Sequence, residues 1–354
     1  MVFTANSLKK NFDKTLVLLQ ERMFNPKFTE SSFDRIKKQT LQSFKQIKSQ
    51  PAAVADIVFA KLNYGSNNIL GIDEIGTEET VKNIMLSDIE IYYNTYITSQ
   101  NAKVVIVGDI TQAEVLPRLT FLNKLPNKKI RLQQVTASPT IDKTKIYLVN
   151  VPKAAQTEFR VGYANGLKYD ATGEYFKSYL MNWPLGGSFN SRLNINLRED
   201  KGWTYGARSG FSGDEYSGGY EFSSGIRANA TDSALVVVMK EMTDYLQYGP
   251  KDDELTFMKS AIGQSDALRY ETGPQKAQFI RRILDYNLPA NYVEIQSGIL
   301  KGMTKAQMKS YAKKYLSPEK MNILLVGDKK QILPGLQKLG YEIIELDTDG
   351  NVVK

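Results

Sequence analysis

Helical periodicity dominates the first hundred residues of the chain. Apolar residues recur every three or four positions over 8–23, which predicts an amphipathic helix. The apolar face of that helix consists of Leu8, Phe12, Leu16 and Leu19. Further helices are predicted over 29–50 and 51–62, because each range begins with a residue type that favours a helix N-terminus. Thr77 and Ser87 are expected to cap two more helices.

Strand patterns appear later in the chain. A run of aliphatic β-branched residues ends in a glycine at 103–108, which predicts a buried strand followed by a turn. Two more strands are predicted over 144–151 and 156–164, and a glycine-rich hairpin over 207–228. A helix is predicted over 173–183, between the second strand and the hairpin.

One stretch, 185–211, combines a helix, a glycine and a strand. Three apolar residues spaced four apart are expected on one helical face: Phe189, Leu193 and Leu197. Gly202 is placed to end that helix, and 204–211 alternates in size as a strand does. Arg198, at the helix end, and Tyr205, at the strand start, can therefore converge on one point. There a guanidinium and a phenol would donate hydrogen bonds to a carbonyl or carboxylate oxygen. Alternatively, Arg198 makes a surface ion pair and Tyr205 belongs to the strand core.

This stretch resembles the pitrilysin/insulinase family of zinc metallopeptidases, family M16. The residues that carry the resemblance are Gly186-Gly187-Ser188-Phe189, Ser191-Arg192-Leu193, Leu197-Arg198-Glu199, Gly202 and Tyr205. In the non-catalytic half of that family, such a motif ends in an Arg/Tyr pair. The resemblance implies that Arg198 and Tyr205 hydrogen-bond the substrate beside the scissile carbonyl. It also suggests that Gly186, Gly187 and Ser188 contribute to substrate binding, although packing would explain the two glycines equally well.

Two parts of the chain repeat at a spacing of about 220 residues. The matched segments are Asn25-Pro26-Lys27 with Gly249-Pro250-Lys251, Gln50-Pro51 with Gly273-Pro274, and Val107-Gly108-Asp109 with Val326-Gly327-Asp328. The second copy begins near residue 141, so about 80 residues of the first copy would precede this sequence. We therefore expect a truncated first repeat and a fragment of a longer protein.

The resemblance gives these repeats a fold. It implies the α+β class, with M16-type (LuxS/metallohydrolase-like) repeats in which an antiparallel sheet packs against helices. The expected domains are a partial M16-like domain over 1–130 that lacks its first strands, a linker over 131–141, and a complete domain over 142–354. The zinc helix of a catalytic domain would fall at 174–183, where this sequence has no histidine.

Composition excludes several kinds of site. The chain has no cysteine and no histidine, so thiol nucleophiles, Ser-His-Asp triads and zinc sites built from Cys and His are not expected. The net charge of +8 comes from scattered lysines, so no nucleic-acid partner is expected. No run reaches the roughly 18 apolar residues of a membrane segment. The absence of cysteine suits a bacterial cell envelope and a cytoplasm alike.

The sequence thus favours the non-catalytic, peptide-binding part of an M16 zinc metallopeptidase, inactive alone. Its expected partners are a peptide substrate and a catalytic M16 half, either upstream in the same polypeptide or a separate subunit. Zinc is expected in that half and no cofactor in this chain. Two alternatives stay open: a structural core or scaffold protein without proteolysis, and a peptide-binding module that has no zinc-bearing partner.

Overall fold

The computed structural model describes residues 1–100, 102–131, 134–265 and 270–353. The α-helices within these ranges are α1 (Phe12–Phe24), α2 (Glu30–Ser49), α3 (Pro51–Tyr64), α4 (Glu78–Asn83), α5 (Leu86–Tyr96), α6 (Gln112–Val115), α7 (Glu174–Asn182), α8 (Arg192–Asn194), α9 (Thr231–Tyr248), α10 (Asp252–Ser265), α11 (Gly273–Tyr286), α12 (Tyr292–Gly302), α13 (Lys305–Tyr315) and α14 (Lys329–Leu336). The strands are β1 (Lys145–Asn150), β2 (Gln156–Ala164), β3 (Thr204–Gly213), β4 (Gly218–Arg227), β5 (Asn322–Gly327) and β6 (Ile343–Leu346).

The six strands form one sheet in the order β3-β4-β2-β5-β1-β6. The pairs β3–β4, β4–β2 and β2–β5 are antiparallel, whereas β1 pairs with β5 and with β6 in parallel. The expected α+β class is confirmed, and the sheet is mixed. The parallel pairs are possible because long connections separate these strands in the chain: β2, β3, β4 and several helices lie between β1 and β5, and α14 lies between β5 and β6.

The chain divides into two compact units. The first comprises Met1–Phe44, Ile75–Gln134 and Leu268–Asn287. In its small apolar cluster, Leu16 and Met23 of α1 contact Phe121, which lies in a 3₁₀-helical segment, Leu116–Lys124. Leu8, which the periodicity placed on the same face, is 66% exposed because α1 begins only at Phe12.

The second unit comprises Lys45–Glu74, Val135–Ala267 and Leu288–Lys354, and it holds the whole sheet. Alternate residues of β5 pack into two different hydrophobic cores. Ile323 and Leu325 join the larger core with residues of α7, α9 and α13, while Leu324 and Val326 join a smaller core with α3. Burial on both faces explains why β5 is apolar without alternation.

Two predictions about the first repeat are wrong. Residues 103–108 form no strand, and Val104 is 52% exposed. The matching strand β5 lies between β1 and β2, whereas no strand of the described ranges flanks 103–108 to satisfy its backbone groups. Ser87 is not a cap either: α5 begins at Leu86, and the Asp88 carboxylate accepts the Met85 N–H at 2.8 Å.

Candidate functional site

The start of β3 carries a β-bulge that turns Tyr205 outward. The register between β3 and β4 shifts between Thr204 and Ala207. The Thr204 hydroxyl stabilises this irregular backbone, because it accepts the Gly206 N–H and donates to the Gly206 carbonyl, both at 3.0 Å. The Tyr205 side chain is 92% exposed, and its hydroxyl has no hydrogen-bond partner in the part of the chain that the structure describes. Bulges commonly redirect a side chain next to a functional site.

The helix before β3 ends at a fixed turn. Short helix α8 continues as a π-helical segment, Ile195–Asp200, which contains Arg198. Gly202 adopts a left-handed conformation with φ of +60°, as a helix-ending glycine does. The Trp203 N–H then donates to the Leu197 carbonyl at 2.9 Å, which joins the end of the helix to the beginning of the strand.

Two neighbours orient the Arg198 guanidinium. Its Nη1 lies 2.6 Å from Glu199 Oε1, and its central carbon lies 4.6 Å from the centroid of the Phe189 ring. Phe189 was expected on the helical face with Leu193 and Leu197, but it precedes the helix and is 61% exposed. Its ring instead supports a cation–π contact.

Arg198 and Tyr205 thus lie on either side of the Gly202 turn. Among the described residues they make no hydrogen bond with each other. Arg198 is partly covered, with a side chain 34% exposed, while Tyr205 projects freely. The alternative reading of Tyr205 as strand core is wrong, and Arg198 does make the ion pair that its alternative reading anticipated.

Side chains from α7 and α8 close the free edge of β3. Every second residue of this edge strand directs its backbone groups away from β4, and three such residues in a row have a side-chain partner. The three hydrogen bonds join Ala207 N–H to Asn194 Oδ1 (2.9 Å), Asn182 Nδ2 to the Ser209 carbonyl (2.7 Å), and the Tyr175 hydroxyl to the Phe211 carbonyl (3.1 Å). Covering an edge in this way prevents it from pairing with another strand.

The three other predicted site residues lie at the end of the π-helical segment Trp183–Gly187 and directly after it. A Cβ on Gly186 would come within 2.1 Å of Ser209 Oγ and 2.7 Å of Ser209 N, so the glycine permits close packing on β3. Gly187 is exposed. Ser188 Oγ is buried, and no described residue offers it a hydrogen bond. A role for these three residues in substrate binding stays a prediction.

A shallow cavity of about 360 Å³ lies on the sheet face beside the bulge. It is lined by Glu158, Arg160, Gly206, Arg208, Ser223 and Ser224. Arg160 is nearly buried and contacts three carboxylates: Asp56 at 2.8 Å, Glu158 at 3.3 Å and Glu221 at 3.5 Å. Burial raises the pKa of the Glu221 carboxyl above its usual value, and Arg160 opposes that shift. Sequence patterns did not identify this face, because its residues are scattered over three strands.

Comparison with known proteins shows the family of the chain. The family model described as the peptidase M16 inactive domain matches residues 83–262, about half of the chain. The chain belongs to the peptidase M16 inactive-domain family. The motif that carries Arg198 and Tyr205 lies inside the matched range.

Individual proteins are similar to this chain over much of its length. This M16 inactive domain is 24% identical over 335 residues to the "non-peptidase homolog YmxG" of Helicobacter pylori, covering 93% of this chain and 75% of that protein. It is 23% identical over 276 residues to the "uncharacterized zinc protease YmxG" of Bacillus subtilis, covering 77% and 65%. The crystal structure of a peptidase M16 inactive domain from Pseudomonas fluorescens superposes with a TM-score of 0.81 at 25% identity, covering 90% and 76%.

The residues of this M16 inactive domain do not fit a zinc ion. The helix at the expected zinc position is α7, whose buried polar residues are Ser178 and Asn182. Asn182 is already bonded to Ser209 through both its donor and its acceptor. Across the described ranges, no three His, Cys, Asp or Glu side chains are grouped so that they could hold a metal. Within the same ranges, no helix has the length and apolar character needed to cross a membrane.

Proposed function

We propose that this M16 inactive domain is the peptide-binding, metal-free half of a zinc peptidase. In this proposal Arg198 and Tyr205 hydrogen-bond a peptide that is cleaved at a site on a zinc-bearing partner half. That partner would supply a metal-activated water, and this chain would supply donors to the peptide oxygens. The observation that carries the proposal is the Tyr205 hydroxyl, which is fully presented to solvent by a bulge and has no partner among the described residues.

The exposure of Tyr205 favours a binding role over a packing role. A tyrosine ring buries a large apolar area when it packs, and here that stabilisation is forgone. The backbone is nevertheless fixed around it by the Thr204 hydroxyl and by the Asn194 amide. A donor held on a rigid backbone and aimed at solvent is suited to stabilise charge that develops on a bound carbonyl oxygen.

The partners of Arg198 are compatible with the same role. Glu199 and Phe189 occupy one nitrogen and one face of the guanidinium, and five N–H groups are available in total. The remaining donors can reach a peptide oxygen while the ring and the carboxylate restrict the rotamers of the arginine. Less conformational entropy is then lost when the peptide binds.

The closed edge of β3 limits how a peptide can bind here. Addition of a strand requires free backbone groups along an edge, and three successive edge residues of β3 each have one backbone group already bonded to a side chain. Peptide recognition at this site would therefore use side chains, with Arg208 and Ser223 of the adjacent cavity as further donors.

A reconstitution experiment tests the proposal. Zinc content and peptide hydrolysis are measured for the chain alone, and again after mixing with a zinc-bearing M16 half that pairs with it. We expect neither zinc nor hydrolysis from the chain alone, and hydrolysis after mixing. Arg198→Ala and Tyr205→Phe should each lower the rate by about 10-fold or more, since removal of one such donor typically costs about 10²–10³ in rate. Tyr216→Phe, at the other end of the same hairpin, is the matched control and should leave the rate unchanged.

Two results would contradict the proposal. Zinc-dependent hydrolysis by the chain alone would show that it carries its own catalytic site. Equal rates for the wild type, Arg198→Ala and Tyr205→Phe in the active mixture would remove the role of the pair.

The second candidate is a structural M16-like protein without proteolysis. The ion pair between Arg198 and Glu199 favours it, because a purely structural arginine would be paired in the same way. The name of the Helicobacter pylori relative, a non-peptidase homolog, points in the same direction. The reconstitution separates the two candidates, since a scaffold gives no hydrolysis with any partner half and no effect of the Tyr205→Phe substitution.

A further inference from the structure

Asn194 makes two hydrogen bonds that lead to the two members of the pair. Its side chain is 3% exposed; the bond to Ala207 is buried and the bond to Phe189 is partly buried. Its Nδ2 donates to the Phe189 carbonyl at 2.7 Å, and its Oδ1 accepts the Ala207 N–H at 2.9 Å. A buried amide that uses both ends in this way fixes the two backbone segments relative to each other.

Each of the two segments carries one of the donors. Phe189 places its ring 4.6 Å from the Arg198 guanidinium. Ala207 ends the bulge that presents Tyr205, because the register of β3 becomes regular again at Ala207. The Asn194 side chain is therefore a single bridge between the support of Arg198 and the support of Tyr205.

We propose that Asn194 is a positioning residue for the Arg198/Tyr205 pair. It acts through Phe189 and Ala207 and does not touch the peptide. The functional significance of this inference rests on the proposed function. Its structural claim, that the Asn194 amide holds both donors in place, can be measured in the chain alone.

The substitutions separate the two bonds. Asn194→Asp keeps an acceptor for the Ala207 N–H and loses the donor to the Phe189 carbonyl, whereas Asn194→Ala loses both. Asn196→Ala is the matched control, because Asn196 lies two residues further along the same helical segment and its amide donates to the Glu241 side chain instead of bonding Phe189 or β3. A general structural role predicts that Asn194→Ala and Asn196→Ala behave alike.

Hydrogen exchange followed by NMR on the full chain is the first measurement. In Asn194→Ala we expect exchange of the Ala207 amide to rise by about 10-fold or more, as when a buried hydrogen bond is lost. Because the Phe189 ring faces the Arg198 guanidinium, loss of the Asn194 bond to Phe189 should also move the chemical shifts of the Arg198 side chain. In Asn194→Asp only the Arg198 signals should change. In Asn196→Ala the Ala207 exchange rate should stay within about twofold of the wild type, and the Arg198 signals should not move. If Asn194→Ala does not fold, the comparison of Asn194→Asp with the wild type decides the same point at Arg198.

Activity of the reconstituted mixture is the second measurement. If Arg198→Ala and Tyr205→Phe lower kcat, Asn194→Ala should lower kcat as well, with a smaller change in KM than in kcat. The kcat of Asn194→Asp should lie between those of Asn194→Ala and the wild type. An unchanged Ala207 exchange rate together with unmoved Arg198 signals in Asn194→Ala would overturn the positioning role. If both change in the chain, but the rate of the mixture is insensitive to Arg198→Ala and Tyr205→Phe, the bridge is supported and the proposed function is refuted.

Discussion

Gly186 and Gly187 are neighbours in the motif but differ in what surrounds them. The position of a Cβ on Gly186 is occupied by Ser209, including its backbone nitrogen, which cannot move away as a flexible side chain could. A Cβ on Gly187 would meet nothing closer than Asn182 Nδ2 at 3.4 Å, an ordinary contact. Packing on β3 is therefore a sufficient reason for the first glycine and not for the second.

Alanine at the two positions should separate these cases. Gly186→Ala should lower the free energy of unfolding by about 1–3 kcal/mol, the usual cost of overpacking a core. Gly187→Ala should change it by less than about 1 kcal/mol, because its backbone does not need glycine. Urea unfolding of the two variants measures both values. Equal losses would show that the second glycine has a backbone constraint that its surroundings do not reveal.

The residues of the pair could be found from sequence, but their support could not. Arg198 and Tyr205 stand in a dense motif whose spacing identifies them without a structure. The expected position of Phe189 on the helical face is wrong, because a spacing of four residues from Leu193 also fits a residue that precedes the helix. Asn194 gives no sequence signal, since its role depends on two backbone groups that only the fold brings together.

At the scale of elements, β3 is an edge strand that depends on a helix for its protection. Asn182 of α7 forms two hydrogen bonds with Ser209, through the Ser209 carbonyl at 2.7 Å and through its hydroxyl at 2.8 Å. Both residues are buried. Removal of the amide would leave two buried polar groups unsatisfied and would open the edge.

Asn182→Ala should therefore destabilise the protein and promote association. We expect the free energy of unfolding to fall by about 1–3 kcal/mol, the cost of an unsatisfied buried group. Size-exclusion chromatography should show dimers or larger species, because a free edge can pair with a second chain. Asn196→Ala, which removes a half-buried amide bonded to Glu241, is the control and should remain monomeric. A monomeric Asn182→Ala variant would mean that α7 covers the edge without this amide.

The two matched repeat segments show where sequence stops predicting elements. Residues 103–108 and β5 have similar aliphatic sequences, yet only β5 is a strand. An apolar run indicates that a segment favours extended structure. A strand also needs neighbouring strands whose backbone groups pair with its own. Of the two caps predicted here, one is confirmed: Thr77 caps α4 by accepting the Thr80 N–H at 3.1 Å, whereas Ser87 lies inside α5.

At the scale of the whole molecule, the order of the chain and the order of packing differ. Helix α3 comes before every strand in the chain, yet it belongs to the unit that holds the sheet. Its Val54, Val58 and Phe59 form the smaller core with β1, β5 and β6. The domain boundaries expected at 130 and 142 were placed from the sequence repeat, and they stay predictions. Similarity between the two copies does not tell which sheet a helix packs against.

Truncation of Phe59 tests this packing. The side chain is 4% exposed, so Phe59→Ala should lower the free energy of unfolding by about 3–5 kcal/mol. Ile57→Ala, a truncation of a half-buried residue on the same helix, should cost less. Because Phe59 belongs to the core that covers Leu324 and Val326, the amides of β5 should exchange faster in Phe59→Ala than in Ile57→Ala. Unchanged exchange in β5, despite loss of stability, would mean that α3 stabilises the chain without holding the sheet.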